Sequence, residues 1–178
     1  SSNQLLIHES VREATKIEVP FYTHFFEIIG STDEYIFFYS PFDKVIAMYN
    51  KNNGETRYTN QEIINAKMIE NKLIYQQKED EENYSIQLID YNFNETKRHL
   101  LQTDYPIEHY DISGRYFYYY NEENQNTYYT QFMNDNQVYI LEGEYFLVDN
   151  HNADYNFVAI NKENGEILIN HIDGTFEL

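Results

Sequence analysis

The side chains of this sequence best placed to do chemistry are aromatic. Tyr116, Tyr118, Tyr119 and Tyr120 surround Phe117 in one run, and Tyr128 and Tyr129 follow shortly after. If the two stretches lie on adjacent strands, alternation puts rings on both faces of a sheet, where cross-strand aromatic pairs stabilise it. One use of such rings is a core between stacked sheets. The other is a sugar- or peptide-binding platform, because rigid tyrosine rings give contact area at small entropic cost. Tyr118, Tyr120 and Tyr129 are the candidate ligand-binding residues of that second use.

Other chemistry is thinner. The histidines (His8, His24, His99, His109, His151 and His171) form no i, i+2 or i, i+4 pair, and there is no cysteine, so neither disulfides nor thiolate metal sites are available. Asp149-Asn150-His151-Asn152-Ala153-Asp154 gathers oxygen donors but lacks the glycine and the closing glutamate of an EF-hand loop. It reads as a connecting loop, and Glu79–Glu82 reads as a solvated acidic loop. Ser113-Gly114 reads as a turn, since no Gly-x-Ser-x-Gly surrounds the serine. No glycine-rich phosphate cradle occurs, and nothing singles out two of the thirty acidic residues as a glycosidase pair. Asn83-Tyr84-Ser85 and Asn94-Glu95-Thr96 are glycosylation sequons by pattern alone. The expectation is no catalytic residue, no metal and no cofactor, hence no enzyme.

Charge narrows the partners. A net charge of −18 argues against a phosphate backbone, because nucleic-acid binders present a basic face. No run approaches the ~18 apolar residues of a membrane span, so no membrane insertion by this chain is expected. A lack of cysteine is compatible with a bacterial, extracytoplasmic, surface-anchored protein, and Ser1-Ser2-Asn3-Gln4 fits a mature lipoprotein as well as a trimmed end; a cytoplasmic location is the alternative.

The elements that must position these residues repeat. One phrase occurs four times: EYIFFYS…KVIAMYNKNNGE from Glu34, KLIYQQ…YSIQLIDYNFNE from Lys72, RYFYYY…TYYTQFMNDNQ from Arg115 and EYFLVD…YNFVAINKENGE from Glu144. Each is a strand, a polar gap, a second strand and an Asn-rich turn into a third strand. A further apolar segment precedes each: Phe25–Ile29, Ala66–Ile69, Ile107–Ile112 and Val138–Leu141. The unit is therefore a four-stranded meander, with Val138–Leu141 serving both as the end of the third copy and the start of the fourth. Repeats of one unit bury their apolar faces by stacking on neighbours.

The middle strands are apolar on both sides: Tyr35, Phe37 and Tyr39 oppose Ile36 and Phe38, and Phe157 and Ala159 oppose Val158 and Ile160. The outer strands, Glu55–Thr59 and Glu95–His99, are polar. Sheets covered on both faces with polar edges are what stacked blades require. Ile36, Phe38, Ile46, Ile86, Phe117, Phe146 and Val158 are therefore expected in the core. Asn53-Gly54, Asn164-Gly165 and Asp173-Gly174 supply hairpin turns. Gln4–Lys16 reads either as a short helix or as a strand, and Thr59-Asn60-Gln61-Glu62 matches a capping box that predicts one helical turn.

The repeated lead-in, Ile/Phe-Tyr-Tyr strand, polar gap, second strand and Asn-rich turn resembles the repeats of bacterial β-propellers of the TolB-like and prolyl-oligopeptidase-propeller kind. Tyr35–Tyr39, Leu73–Tyr75, Tyr116–Tyr120 and Tyr145–Val148 carry the resemblance, over roughly Phe25 to Asn170. It implies an all-β propeller-like fold of four to five blades and a non-enzymatic binding or scaffolding role, with a protein or glycan as partner. Four repeats would make an unusually small ring, so the expectation is either part of a larger propeller or a fold closed by residues 1–24, an N-terminal segment that builds a fifth blade with Thr175–Leu178. Residues 25–178 form the repeat domain. The alternative fold is a lipocalin-like barrel. The alternative function is a small acidic immunity or inhibitor protein that binds a basic protein in the cytoplasm.

Overall fold

The computed structural model describes residues 4–10, 13–18, 25–92, 95–132, 137–150, 155–171 and 174–177. Strands β1 (Gln4–Ser10) and β2 (Glu13–Glu18) pair antiparallel as a two-stranded sheet of their own. Of the two readings of Gln4–Lys16, the strand is the one adopted.

Four four-stranded antiparallel sheets follow, each a meander in chain order. The first holds β3 (Glu27–Ser31), β4 (Tyr35–Ser40), β5 (Val45–Asn50) and β6 (Thr56–Tyr58); the second holds β7 (Glu62–Ile69), β8 (Lys72–Lys78), β9 (Tyr84–Asp90) and β10 (Thr96–Thr103). The third holds β11 (Tyr110–Ser113), β12 (Tyr116–Asn121), β13 (Asn126–Gln131) and β14 (Val138–Glu142). The fourth holds β15 (Tyr145–Asp149), β16 (Tyr155–Asn161), β17 (Ile167–His171) and β18 (Phe176–Glu177). Four separate sheets set the single-walled barrel aside. Two compact units divide the chain: Ser1–Arg98 with Gln102–Pro106, and His99–Leu101 with Ile107–Leu178.

One expectation is corrected. Thr59–Glu62 forms no helical turn: β7 begins at Glu62, and the Thr59 hydroxyl accepts the Ile46 N–H at 3.0 Å, so it is not available as a helix cap. The C-terminal strand β18 pairs with β17 as the outer strand of the fourth sheet, and β1 and β2 pair with each other.

In the first unit the first and second sheets share a core. Phe37, Tyr39 and Ile46 pack with Ile63, Leu73 and Tyr75, all buried. The Tyr39 hydroxyl meets the Ile64 carbonyl at 2.7 Å and the Ile63 carbonyl at 3.1 Å, which pays the polar cost of burying that ring. Close approach of β3 to β7 needs a glycine, because a Cβ on Gly30 would stand 2.7 Å from the Met68 Cβ.

In the second unit the strand β15 lies against the third sheet. As an edge strand it has N–H groups without ladder partners, a liability that proteins manage explicitly. The Tyr145 N–H donates to Thr127 Oγ1 at 3.0 Å and the Asp149 N–H donates to Ser113 Oγ at 2.9 Å. Between them, the Leu147 backbone is hydrogen-bonded to the Tyr118 hydroxyl. Side chains of one sheet thus replace a missing strand of the next. Behind this seam Tyr116, Tyr118, Tyr129 and Leu141 pack with Tyr145, Leu147, Phe157 and Ala159.

The expected core is met at Ile36, Phe38, Ile46, Ile86 and Phe117, all at most 3% exposed. It fails at Phe146, which is 50% exposed, and at Val158, which is only partly buried. The fourth sheet is covered on one face, and β15 accordingly alternates between buried and exposed residues. Val138–Leu141 belongs to the third sheet alone, so β15 starts its sheet, whereas its counterpart β4 is a second strand.

Candidate functional site

The tyrosine run folds as its alternation requires. Tyr118 stands opposite Tyr129 and Tyr119 opposite Tyr128, one pair on each face of the third sheet. The Tyr119 and Tyr128 rings stack at 5.1 Å, and Tyr129 stacks on Tyr139 at 5.2 Å while meeting Phe157 edge-on at 5.0 Å. Tyr129, one of the candidate ligand-binding residues, lies in the core at 6% exposed. Tyr118 is 8% exposed and its hydroxyl is held by Leu147, so it contributes a wall and not a platform. Tyr120, one step nearer the β12–β13 turn and opposite Thr127, is half-buried.

Burial is the main cause of what happens to these phenols. It pushes the Tyr118 and Tyr116 hydroxyls above the usual tyrosine range, Asp111 adding to the effect at Tyr118, and it raises Tyr129 further. They stay protonated over the physiological range and act as hydrogen-bonding groups.

Around Tyr120 the second unit opens into a cleft of about 240 Å³. Tyr118, Tyr119 and Tyr120 reach it from β12, His109, Tyr110 and Asp111 from the start of β11, and Glu122 from the following turn. Glu144, Tyr145 and Phe146 enter from β15 and the residue before it, and Lys162 from the end of β16. Three carboxylates thus face a largely aromatic wall. One of them is already occupied by a cation: Lys162 Nζ lies 2.5 Å from Glu144 Oε1 and 4.3 Å from the centre of the Phe146 ring. A carboxylate beside an aromatic face is a favourable seat for an ammonium or guanidinium group.

The opposite end of β15 is closed. The Arg115 guanidinium grips Asp149 with Nη2–Oδ1 at 2.9 Å and Nε–Oδ2 at 3.2 Å, and the Arg115 backbone N–H adds a third bond at 2.8 Å. Hydrogen bonding to Asp149 raises the Arg115 pKa above its ordinary value. Gly114 permits the approach with φ +51°, where a Cβ would fall 2.1 Å from Asp149 Oδ2. Asp149, the first residue of the calcium-like stretch, is thereby occupied; residues 151–154 lie outside the described residues. The Glu79–Glu82 run likewise satisfies itself, with the Asp80 carboxylate accepting the Glu82 and Asn83 N–H groups at 3.0 and 2.9 Å. Those bonds hold Asp80 below the usual carboxylate range. Among the described residues no three His, Asp or Glu side chains come together as a metal site.

A second cleft, about 380 Å³, lies in the first unit between Thr32–Tyr35 and the Asn71, Tyr91, Asn92 and Glu95 turns. Its Tyr35 and Tyr91 rings are 6.1 Å apart, and burial, then Glu95, raises the Tyr91 pKa. Asn71 bonds to Asn92 at 3.2 Å, and Asn92 to the Glu70 carbonyl at 3.1 Å, so much of its polar lining is already paired. Sequence reasoning named neither cleft. Glu122, Glu144 and Lys162 carried no signal as separate positions, since only the seam between two sheets brings them to Tyr120.

No protein-family model matches the chain, and no curated protein matches it. Solved structures do. The β-propeller domain of Myceliophteria thermophila Cps50 (Swd1) aligns with TM-score 0.52 and 14% identity, over 93% of this chain and 61% of that one. Hsv2 from Kluyveromyces lactis aligns with TM-score 0.49 and 11% identity, over 91% of this chain and 52% of that one. A nidogen/laminin complex chain aligns with TM-score 0.41 and 11% identity, over 93% of this chain and 66% of that one. The chain thus spans 52% to 66% of the lengths of these three, and identities so low carry the fold alone. The repeated four-stranded antiparallel meanders of this chain are of the β-propeller fold.

Proposed function

We propose that this chain is a non-enzymatic binding module whose cleft at Tyr120 receives a cationic side chain of a protein partner. The observation that carries the reading is Lys162, an ammonium group already seated between Glu144 and the Phe146 ring. Asp111 and Glu122 line the same cleft, and among its described lining residues Lys162 is the one lysine or arginine, so carboxylates outnumber these cations there. The net charge of −18 draws a basic partner toward it and speeds encounter. Propeller blades suit such a role, because loops and strand ends on a rigid scaffold are free to specialise. A glycan is the second reading, supported by the same aromatic rings and hydrogen-bonding carboxylates.

Binding of fluorescent peptides rich in lysine or arginine, against neutral oligosaccharides, separates the two. Basic peptides are expected to bind in a salt-dependent way, with Tyr120→Ser and Glu122→Gln each weakening affinity by about tenfold. Oligosaccharide binding with no response to basic peptides would remove the cationic reading.

A further inference from the structure

The open face of the fourth sheet carries an apolar surface that the cleft does not account for. Register places Phe146 opposite Ile160 and Ile160 opposite Ile167, then Val148 opposite Val158 and Val158 opposite Ile169. Directly paired residues share a face, so these six side chains form two adjoining apolar rows. Phe146, Val148 and Ile167 are about half exposed. Scattered exposed hydrophobics need no explanation, but a contiguous block on a regular sheet marks an interaction surface.

We propose that this face docks a basic protein through an apolar strand or sheet surface, as an extension of the cleft. The proposal rests on the reading of the partner as a basic protein. Three observations choose this occupant. Phe146 belongs both to the rows and to the cleft, so the two surfaces are continuous. Exposed Glu163 and Glu166 flank the first row in the β16–β17 turn. Glu144 before it is paired with Lys162, and Glu177, opposite Ile169 on β18, lies 3.0 Å from His171 Nε2, so carboxylates still outnumber the cations around the rows. An apolar centre with an acidic rim complements an apolar centre with a basic rim. A second copy of this chain would bring the same rim and another 18 negative charges, which opposes self-association. The covered faces of the first and second sheets show the kind of surface that fits, since there strand side chains of one sheet cover those of another.

A soluble strand peptide of alternating valine and lysine tests the idea, with a valine–glutamate peptide as control, by fluorescence anisotropy against the whole chain. The valine–lysine peptide is expected to bind and the control is not. Val148→Thr keeps side-chain shape and Ile167→Thr keeps the branch at Cβ with one carbon fewer; together they should weaken binding by about tenfold or more, while Tyr120→Ser in the cleft weakens it separately. Thermal melts and near-ultraviolet circular dichroism establish that both variants are folded. Loss with the Tyr120 variant alone would overturn the docking face and leave the cleft reading standing. Loss with the threonine pair alone would uphold the face and sink the cleft. Unchanged binding in both would overturn both. A wild-type dimer in sedimentation equilibrium that the threonine pair dissociates would make a second copy the occupant and overturn the basic partner.

Discussion

The first and fourth sheets are written in nearly the same words and buried differently. EYIFFYS with KVIAMYNKNNGE builds β4 and β5, and EYFLVDN with YNFVAINKENGE builds β15 and β16. Even the pairing is shared: Tyr35 meets Asn50 as Tyr145 meets Asn161. The N–H of Lys51 donates to the Glu34 carbonyl as that of Lys162 donates to the Glu144 carbonyl, both at 2.8 Å. Yet Ile36 and Phe38 are buried, while Phe146 and Val148, at the same places in the phrase, are half in water. Strand pairing is a local property of the repeat. Burial of its second face depends on what lies beyond it, and there the two sheets part.

Truncation should separate them most sharply. Phe38→Ala leaves a cavity in a close-packed core and is expected to cost about 3–5 kcal/mol, whereas Val148→Ala at the matching position should cost under about 1 kcal/mol. Urea denaturation of the two variants measures this, and equal losses would mean that the fourth sheet is covered in solution.

A smaller effect tests the device that lets β15 stand as an edge. Gly114→Ala puts a methyl group where Asp149 Oδ2 sits and asks an L-residue to hold φ +51°, so about 2–3 kcal/mol should be lost. Asp149→Ala removes the Arg115 grip, which is buried on the aspartate side and partly solvated on the arginine side, and should cost about 1–2 kcal/mol. Wild-type stability in both variants would show that packing alone holds β15.

Alkaline titration gives the gentlest comparison. Tyr39 in the first sheet and Tyr116, Tyr118 and Tyr129 at the seam have folded pKa values raised above the ordinary value of 10, burial being the first cause. A raised value means that the folded state holds the proton more tightly. The stabilisation is complete below the unfolded pKa and drains away as pH climbs through it toward the folded value. Absorbance of tyrosinate should therefore rise in two phases, exposed rings first and these four together with unfolding. A single phase near the ordinary value would mean that the seam is open.

The amino-acid pattern was enough for the strands, the turns and the propeller-type meander, because alternation, Asn-Gly hairpins and polar outer strands act over a few residues. It placed tyrosine rings on both faces of two adjacent strands for the same reason, while the register that sets Tyr118 against Tyr129 and Tyr119 against Tyr128 belongs to the fold. It misjudged Phe146 and Val158, since an apolar residue on a two-faced strand looks alike whether or not a neighbour arrives. It read Thr59–Glu62 as a helix cap because a hydroxyl suits either use, and the Ile46 N–H is the partner that claimed it.

What the sequence determined by itself is the unit: a strand phrase whose pairing partners lie within reach along the chain, so that local physics fixes them. What only the tertiary structure decided is the assignment between units. Val138–Leu141 could end one meander or begin the next. Its pairing of Ile140 with Tyr128 and Leu141 with Thr127 sent it to the third sheet, left β15 as an edge, and drew Thr127, Tyr118 and Ser113 in to cap it. Packing of β15 along the third sheet brought Glu144 and Lys162 beside Tyr120, and Phe146 stands half exposed next to them. Such choices rest on small differences in burial and hydrogen bonding among distant residues, which no local pattern records.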